Sequence, residues 1–118
     1  MKRPLQITFR NMESSETLEA DVKSHVEGLT ELCPHIISCH VVITAPAHNH
    51  RKGRHFQVRL DVKVPEDELS AGRDHAGDVR HEDAHLALAD SVRAMKRELV
   101  RWNHLRAAHD GATLRGGA

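Results

Sequence analysis

The succession of hydrophobic periods along the chain predicts an α+β fold in the order β-α-β-β-β-α, a four-stranded sheet with two helices packed on one face. Three observations predict it. Short segments alternate apolar and polar residues with the two-residue period of a half-buried strand, and two longer segments carry the helical period. Each strand pattern is apolar on one side only. Two amphipathic helices are enough to cover that side, which leaves the opposite face of the sheet polar and open.

The elements follow in order. Leu5, Ile7 and Phe9 alternate with Gln6, Thr8 and Arg10, giving the first strand. From Ser14 or Ser15, either of them a good N-cap, the period changes: Leu18, Val22, Val26 and Leu29 form one helical face, and Pro34 ends it. Ile37, Cys39, Val41 and Ile43 then alternate with Ser38, His40, Val42 and Thr44 as a second strand. Residues 45–53, with Pro46, Asn49 and Gly53, read as a loop. Phe56, Val58, Leu60, Val62 and Val64 make the clearest strand of the chain. Residues 65–67 turn, residues 68–73 read as a short fourth strand weakened by Gly72, and residues 74–80 as a loop. The last helix carries Leu88, Val92, Met95, Leu99 and Trp102 as one stripe, with Arg93, Lys96, Arg97 and Arg101 on the opposite side.

With 118 residues and ordinary apolar content the chain forms one domain with one core, expected over residues 1–108 and followed by a flexible C-terminal tail, 109–118. The basic start is not followed by a signal-peptide core, because Gln6, Thr8 and Arg10 interrupt the apolar stretch. No segment reaches membrane-spanning length. A cytoplasmic protein with no membrane partner is expected. Cys33 and Cys39 fit neither a C-x-x-C pair nor a disulfide framework, and Cys39 falls on an inward strand position, so both read as buried thiols.

His81-Glu82-x-x-His85 matches the H-E-x-x-H pattern, in which two imidazoles one turn apart bind zinc and the glutamate acts as general base. Such a site needs a third ligand. Glu98 stands about 20 Å further along the same helix and on another side, and residues 86–90 offer no Gly or third His of the metzincin kind. Glu82 and Asp83 are equally acidic residues of a helix's first turn, where the positive end of the dipole favours carboxylates. The zinc-dependent hydrolase remains a remote alternative. The chain is expected not to be an enzyme and to need no cofactor.

Net charge is formally zero, yet it is segregated. Residues 32–65 hold 5 basic and 1 acidic residues, residues 66–90 hold 2 and 8, and residues 91–118 hold 6 and 2. The positive stretches are the loop and strand around Arg51, Lys52, Arg54, Arg59 and Lys63, and the outer face of the last helix. Brought together they would make a phosphate-sized footprint; taken separately they are a solvated helix face and a charged hairpin tip. The chain has no Tyr, and alternation turns Phe9 and Phe56 inward, so base stacking on the sheet by aromatic rings is not expected. His48, His50 and His55 stand in the basic loop and strand, where protonation below about pH 6.5 would add to the positive charge.

Four separated motifs in register carry a resemblance. The opening L-Q-I-T-F-R-N-M-E (5–13), the central C-H-V-V-I-T-A-P (39–46), H-N-H-R-K-G (48–53) with the strand after it, and H-E-D (81–83) heading a basic helix resemble the ribosome hibernation-promoting factor family, also called ribosome-associated inhibitor or sigma-54 modulation protein. The resemblance runs to about Arg106. It implies a β-α-β-β-β-α fold similar to a double-stranded-RNA-binding domain, and a stress or stationary-phase factor that binds the small ribosomal subunit near the decoding region and inhibits translation without chemistry. The partner is then ribosomal RNA, with no small-molecule substrate, and the free protein is expected to be a monomer. Phosphate contacts are expected from Arg51, Lys52 and Arg54 in the loop and from Arg93, Lys96, Arg97 and Arg101 on the last helix. The sigma-54 name points to the alternative, a protein-binding transcription regulator.

The sequence departs from the family in places. The first helix carries only Lys23 among Glu16, Glu19, Asp21, Glu27 and Glu31, which puts an RNA-facing role for that helix in doubt. His85 stands where an aromatic is common, and Gly28 weakens the first helix by up to ~1 kcal/mol relative to Ala. The chain resembles the short members, so it is not expected to pair ribosomes through a C-terminal dimerisation domain.

Overall fold

A computed structural model describes residues 4–45, 55–76 and 81–117, with side chains placed over 4–45, 56–72 and 84–106. The order is β1 (Leu5–Arg10), α1 (Glu16–Leu32), β2 (Ser38–Thr44), β3 (His55–Val64), β4 (Asp67–Ala76) and α2 (His81–Gly117). The four strands form one mixed sheet in spatial order β1-β2-β3-β4, with β1 parallel to β2 and the other pairs antiparallel. The expected fold class is the observed one.

Local signals set most boundaries. Asn11 takes a left-handed φ of 60° as the chain leaves β1, a conformation that Asn tolerates better than most residues. Ser15 caps α1: its hydroxyl accepts from the Leu18 N–H at 3.3 Å, and Glu16 and Glu19 sit in the first turn where the helix dipole favours them. Leu18, Val22, Val26 and Leu29 are buried along one side of α1. The helix stops where the Cys33 N–H bonds back to the Leu29 carbonyl at 2.8 Å, one residue before Pro34.

The core lies between the helices and one face of the sheet. Val41, Ile43, Val58, Leu60 and Val62 meet Leu88, Val92, Met95 and Leu99 of α2 and the buried side of α1. Each such side chain contributes about 1.5–3 kcal/mol on leaving water. Phe56 is buried, Phe9 packs against the core, and both cysteines are buried and outside any disulfide, as expected.

Three expectations need correction. Ile37 was expected to point inward with Cys39, but it lies outside β2 and is 45% exposed, while Ile36 is buried. Regular alternation starts only at Ser38, so the residues between Pro34 and the strand do not share its parity. The fourth strand is not the short 68–73 segment followed by a loop from residue 74. It spans Asp67–Ala76, because β3 matches it residue for residue from Val64↔Asp67 to His55↔Ala76. Ladder pairing along a ten-residue partner overrides a polar, glycine-containing sequence. Val42 does face away from the helices, yet it is buried, walled by Thr8 and Arg59 of the flanking strands at the same level of the sheet.

The β3–β4 hairpin turns through Pro65 and Glu66, and Glu66 has φ 65°. Proline first and a left-handed residue second is the pattern of a type II turn, in which the second place suits Gly or Asn. α2 packs on β3 and β4, and its helical backbone continues to Gly117, past residue 109, where the tail was expected to begin.

Candidate nucleic-acid interface

Helical geometry puts the α2 cations together. At about 100° per residue, Arg93, Lys96, Arg97 and Arg101 span an arc of about 140° centred opposite the buried stripe. All four are exposed. They are not equivalent. The Arg93 guanidinium lies 3.2 Å from Asp90 Oδ1, an i,i+3 surface pair that offsets its charge. Lys96, Arg97 and Arg101 make no ion pair among the described residues.

Arg97 and Arg101 also flank a groove between α2 and the edge strand, lined by Ser70, Ala71 and Gly72 on β4 and by Ala94 and Glu98 on the helix. The small side chains on both walls bring the cations close to the open sheet edge. Arg51, Lys52 and Arg54, the loop part of the expected footprint, lie outside the described residues, as do His48 and His50. The strand ends that flank this loop, Thr44 and His55, stand at the end of the sheet where β4 finishes and α2 follows. On α2 that end is about 18 Å from Arg93 and about 30 Å from Arg101, from the helical rise.

The H-E-x-x-H segment occupies the first turns of α2. The side chains of His81 and Glu82 lie outside the described residues. His85 faces α1, where its Nδ1 donates to Asp21 Oδ2 at 2.6 Å, and the other oxygen of Asp21 lies 3.3 Å from His25 Nε2. Asp21 thus ties the two helices together through His85. Among the described residues, no group of three or more His, Cys, Asp or Glu side chains is placed to hold a metal ion.

The open face, expected to be polar, has an organisation the sequence reading did not assign. Its side chains stand in cross-strand rows: Gln6, His40, Asp61 and Ser70; then Thr8, Val42, Arg59 and Gly72. Thr8 Oγ1 and His40 Nε2 are 2.9 Å apart, and Asp61 Oδ1 accepts from Arg59 Nε at 3.1 Å and from the Ser70 hydroxyl at 2.6 Å. The apolar Val42 in an otherwise polar register was the one signal available for it.

A family model described as sigma 54 modulation protein / S30EA ribosomal protein matches residues 5–106. Among solved structures, a ribosomal subunit interface protein from Coxiella burnetii superposes with a TM-score of 0.68 at 14% identity, over 85% of this chain and 97% of that one. The N-terminal domain of Thermus thermophilus Protein Y gives 0.65 at 16% identity, over 86% and 99%. At such identities these likenesses establish the fold. No curated protein sequence matches the chain.

Proposed function

Because this chain belongs to the sigma 54 modulation protein / S30EA ribosomal protein family, a ribosome-associated family, we propose that it binds the small ribosomal subunit near the decoding region and inhibits translation as a cytoplasmic, non-enzymatic hibernation factor. The observation that carries this reading is the family match over residues 5–106, which takes in every strand, α1 and the basic part of α2.

The electrostatics support it. Lys96, Arg97 and Arg101 form an exposed row without acidic partners among the described residues, and a cation with no partner to give up binds phosphate at least cost. Arg93 joins them by exchanging Asp90 for a phosphate, and Arg51, Lys52 and Arg54 extend the contact from the β2–β3 loop. Phosphate contact by cations suits a folded RNA recognised through its shape and backbone. Residues 1–108 form the ribosome-binding domain, acting as a monomer. α1, rich in acid, contributes no phosphate contact.

Translation in a cell-free extract tests the reading. Protein synthesis should fall as the purified chain is added and stop falling once it equals the ribosomes in number. Undiminished synthesis at a severalfold excess over ribosomes would refute an inhibitory role.

A further inference from the structure

On the side of the sheet away from both helices lies a concavity of about 550 Å³, lined by Arg10, His40, Val42, Arg59, Asp61 and Gly72, with Thr44, Gln57 and Ser70 at its margins. The hollow is half open to solvent rather than enclosed. Two residues make it a hollow rather than a flat polar surface. Val42 gives it an apolar floor, and Gly72 leaves one side without a wall: a Cβ at that position would find its nearest neighbour, the Val58 carbonyl oxygen, 4.0 Å away.

The polar groups around this floor are unevenly satisfied. The Arg10 guanidinium makes no hydrogen bond or ion pair among the described residues; only the backbone carbonyl of Arg10 is engaged, by the Ala45 N–H. Arg59 is tethered through Nε to Asp61, which holds its guanidinium while its two terminal nitrogens keep no bond among the described residues. Asp61 spends Oδ1 on both Arg59 and Ser70, and its Oδ2 makes no bond among the described residues. The site therefore offers one unpaired cation, one positioned guanidinium plane, one free carboxylate acceptor and an apolar floor. Strand spacing and rise put the Cα atoms of Arg10 and Val42 about 8 Å apart and those of Arg10 and Arg59 about 12 Å apart.

The geometry points to a nucleotide as the ligand: its phosphate on Arg10, its base over Val42 and against the Arg59 guanidinium, and a sugar hydroxyl or base N–H donating to Asp61. A simple anion fits poorly, since Asp61 would repel it and nothing on it would donate to the carboxylate. A nucleotide carries phosphate, flat ring and donors within the span of the hollow, and bases stack on guanidinium planes as well as on aromatic rings. The ligand is either a free mononucleotide or one residue of an RNA strand. The site opens on the face of the sheet away from the helices and meets the groove beside Arg97 and Arg101 only at the β4 edge, Ser70 to Gly72.

Amide chemical shifts of the full chain, titrated with each of AMP, GMP, CMP and UMP, with a single-stranded hexaribonucleotide and with inorganic phosphate, test the inference. Saturable shifts centred on His40, Val42, Arg59 and Gly72 are expected, with a dissociation constant of about 1 mM or below. Saturation by a mononucleotide assigns the site to free nucleotides; saturation by the hexamer alone assigns it to RNA. Arg10→Ala should weaken binding about tenfold, the worth of a charge-assisted phosphate contact. Gly72→Val should fill the hollow and abolish binding with an unchanged or raised melting temperature, since Val suits a strand and its Cβ would meet only an ordinary contact, the Val58 carbonyl oxygen at 4.0 Å. No saturable shift with any nucleotide, shifts matched by phosphate alone, or binding indifferent to both Arg10→Ala and Gly72→Val would overturn the assignment.

Discussion

Replacing Arg97 and Arg101 together with Ala should flatten the salt dependence of ribosome binding by an amount fixed by counterion release. Each phosphate contact adds about 0.7–0.9 to the slope of log affinity against log salt, the lower value for single strands and the higher for duplex. Both guanidiniums are exposed and free of ion pairs among the described residues, so neither gives up an internal partner when it meets phosphate. Two lost contacts then remove about 1.4–1.8 from the slope. Over the fourfold range from 50 to 200 mM salt, the affinity deficit of the variant should shrink about tenfold. Arg93→Ala should do less, because Asp90 already offsets that charge. The assay is sedimentation or fluorescence anisotropy with small subunits at five or more salt concentrations, beside a denaturant melt. Ala is a strong helix former and surface changes of this kind stay within about 0.5 kcal/mol, so the melt should be nearly unchanged. An unaltered slope and affinity would refute phosphate contact by these two residues.

Other outcomes follow from the fold and the charge pattern. Gly28→Ala should stabilise the protein by up to about 1 kcal/mol, roughly 4 °C in thermal melting, since a methyl there meets nothing within 4 Å; a loss of stability would show that the position packs against something. At Glu66, with φ 65°, substitution by Gly should stabilise by about 0.5 kcal/mol and substitution by Val should destabilise, and the reverse order in denaturant melts would exclude a left-handed turn residue. Leu60→Ala, at a fully buried position of β3, should cost about 2–5 kcal/mol, and a cost below 1 kcal/mol would contradict its place in the core. Ribosome affinity at fixed salt should rise as pH falls through about 6.5, through His48, His50 and His55 in the basic loop and strand; equal affinity on both sides of that range would exclude this charge effect.

Most of the fold was legible because most elements carry a single unbroken period. β1, β3 and α1 have one parity or one helical face each, so burial alone selects their conformation. β4 was not legible in length: the sequence D-E-L-S-A-G-R-D-H-A has little strand propensity, and pairing with β3 sets its extent. The exchange of Ile36 for Ile37 turned on one residue of phase, which adjacent isoleucines cannot reveal. At the candidate interface, the basic arc of α2 follows from helical spacing alone, and the Asp90–Arg93 pair at i,i+3 was readable by the same rule. The bond from His85 to Asp21 spans 64 positions and exists only because α1 and α2 pack side by side, so no local pattern discloses it. The hollow on the open face likewise depends on three strands aligning Val42, Arg59 and Gly72 in one row.

Small-subunit binding can be measured by co-sedimentation of the purified chain with separated small and large ribosomal subunits across a salt series, with metal content determined on the same sample. About one chain per small subunit is expected, lost steeply as salt rises, with little association with the large subunit and no stoichiometric zinc. Absence of small-subunit association at low salt would contradict the proposed function while leaving the fold intact, and tightly held zinc dependent on His81 and His85 would return the H-E-x-x-H segment to consideration as a hydrolase site.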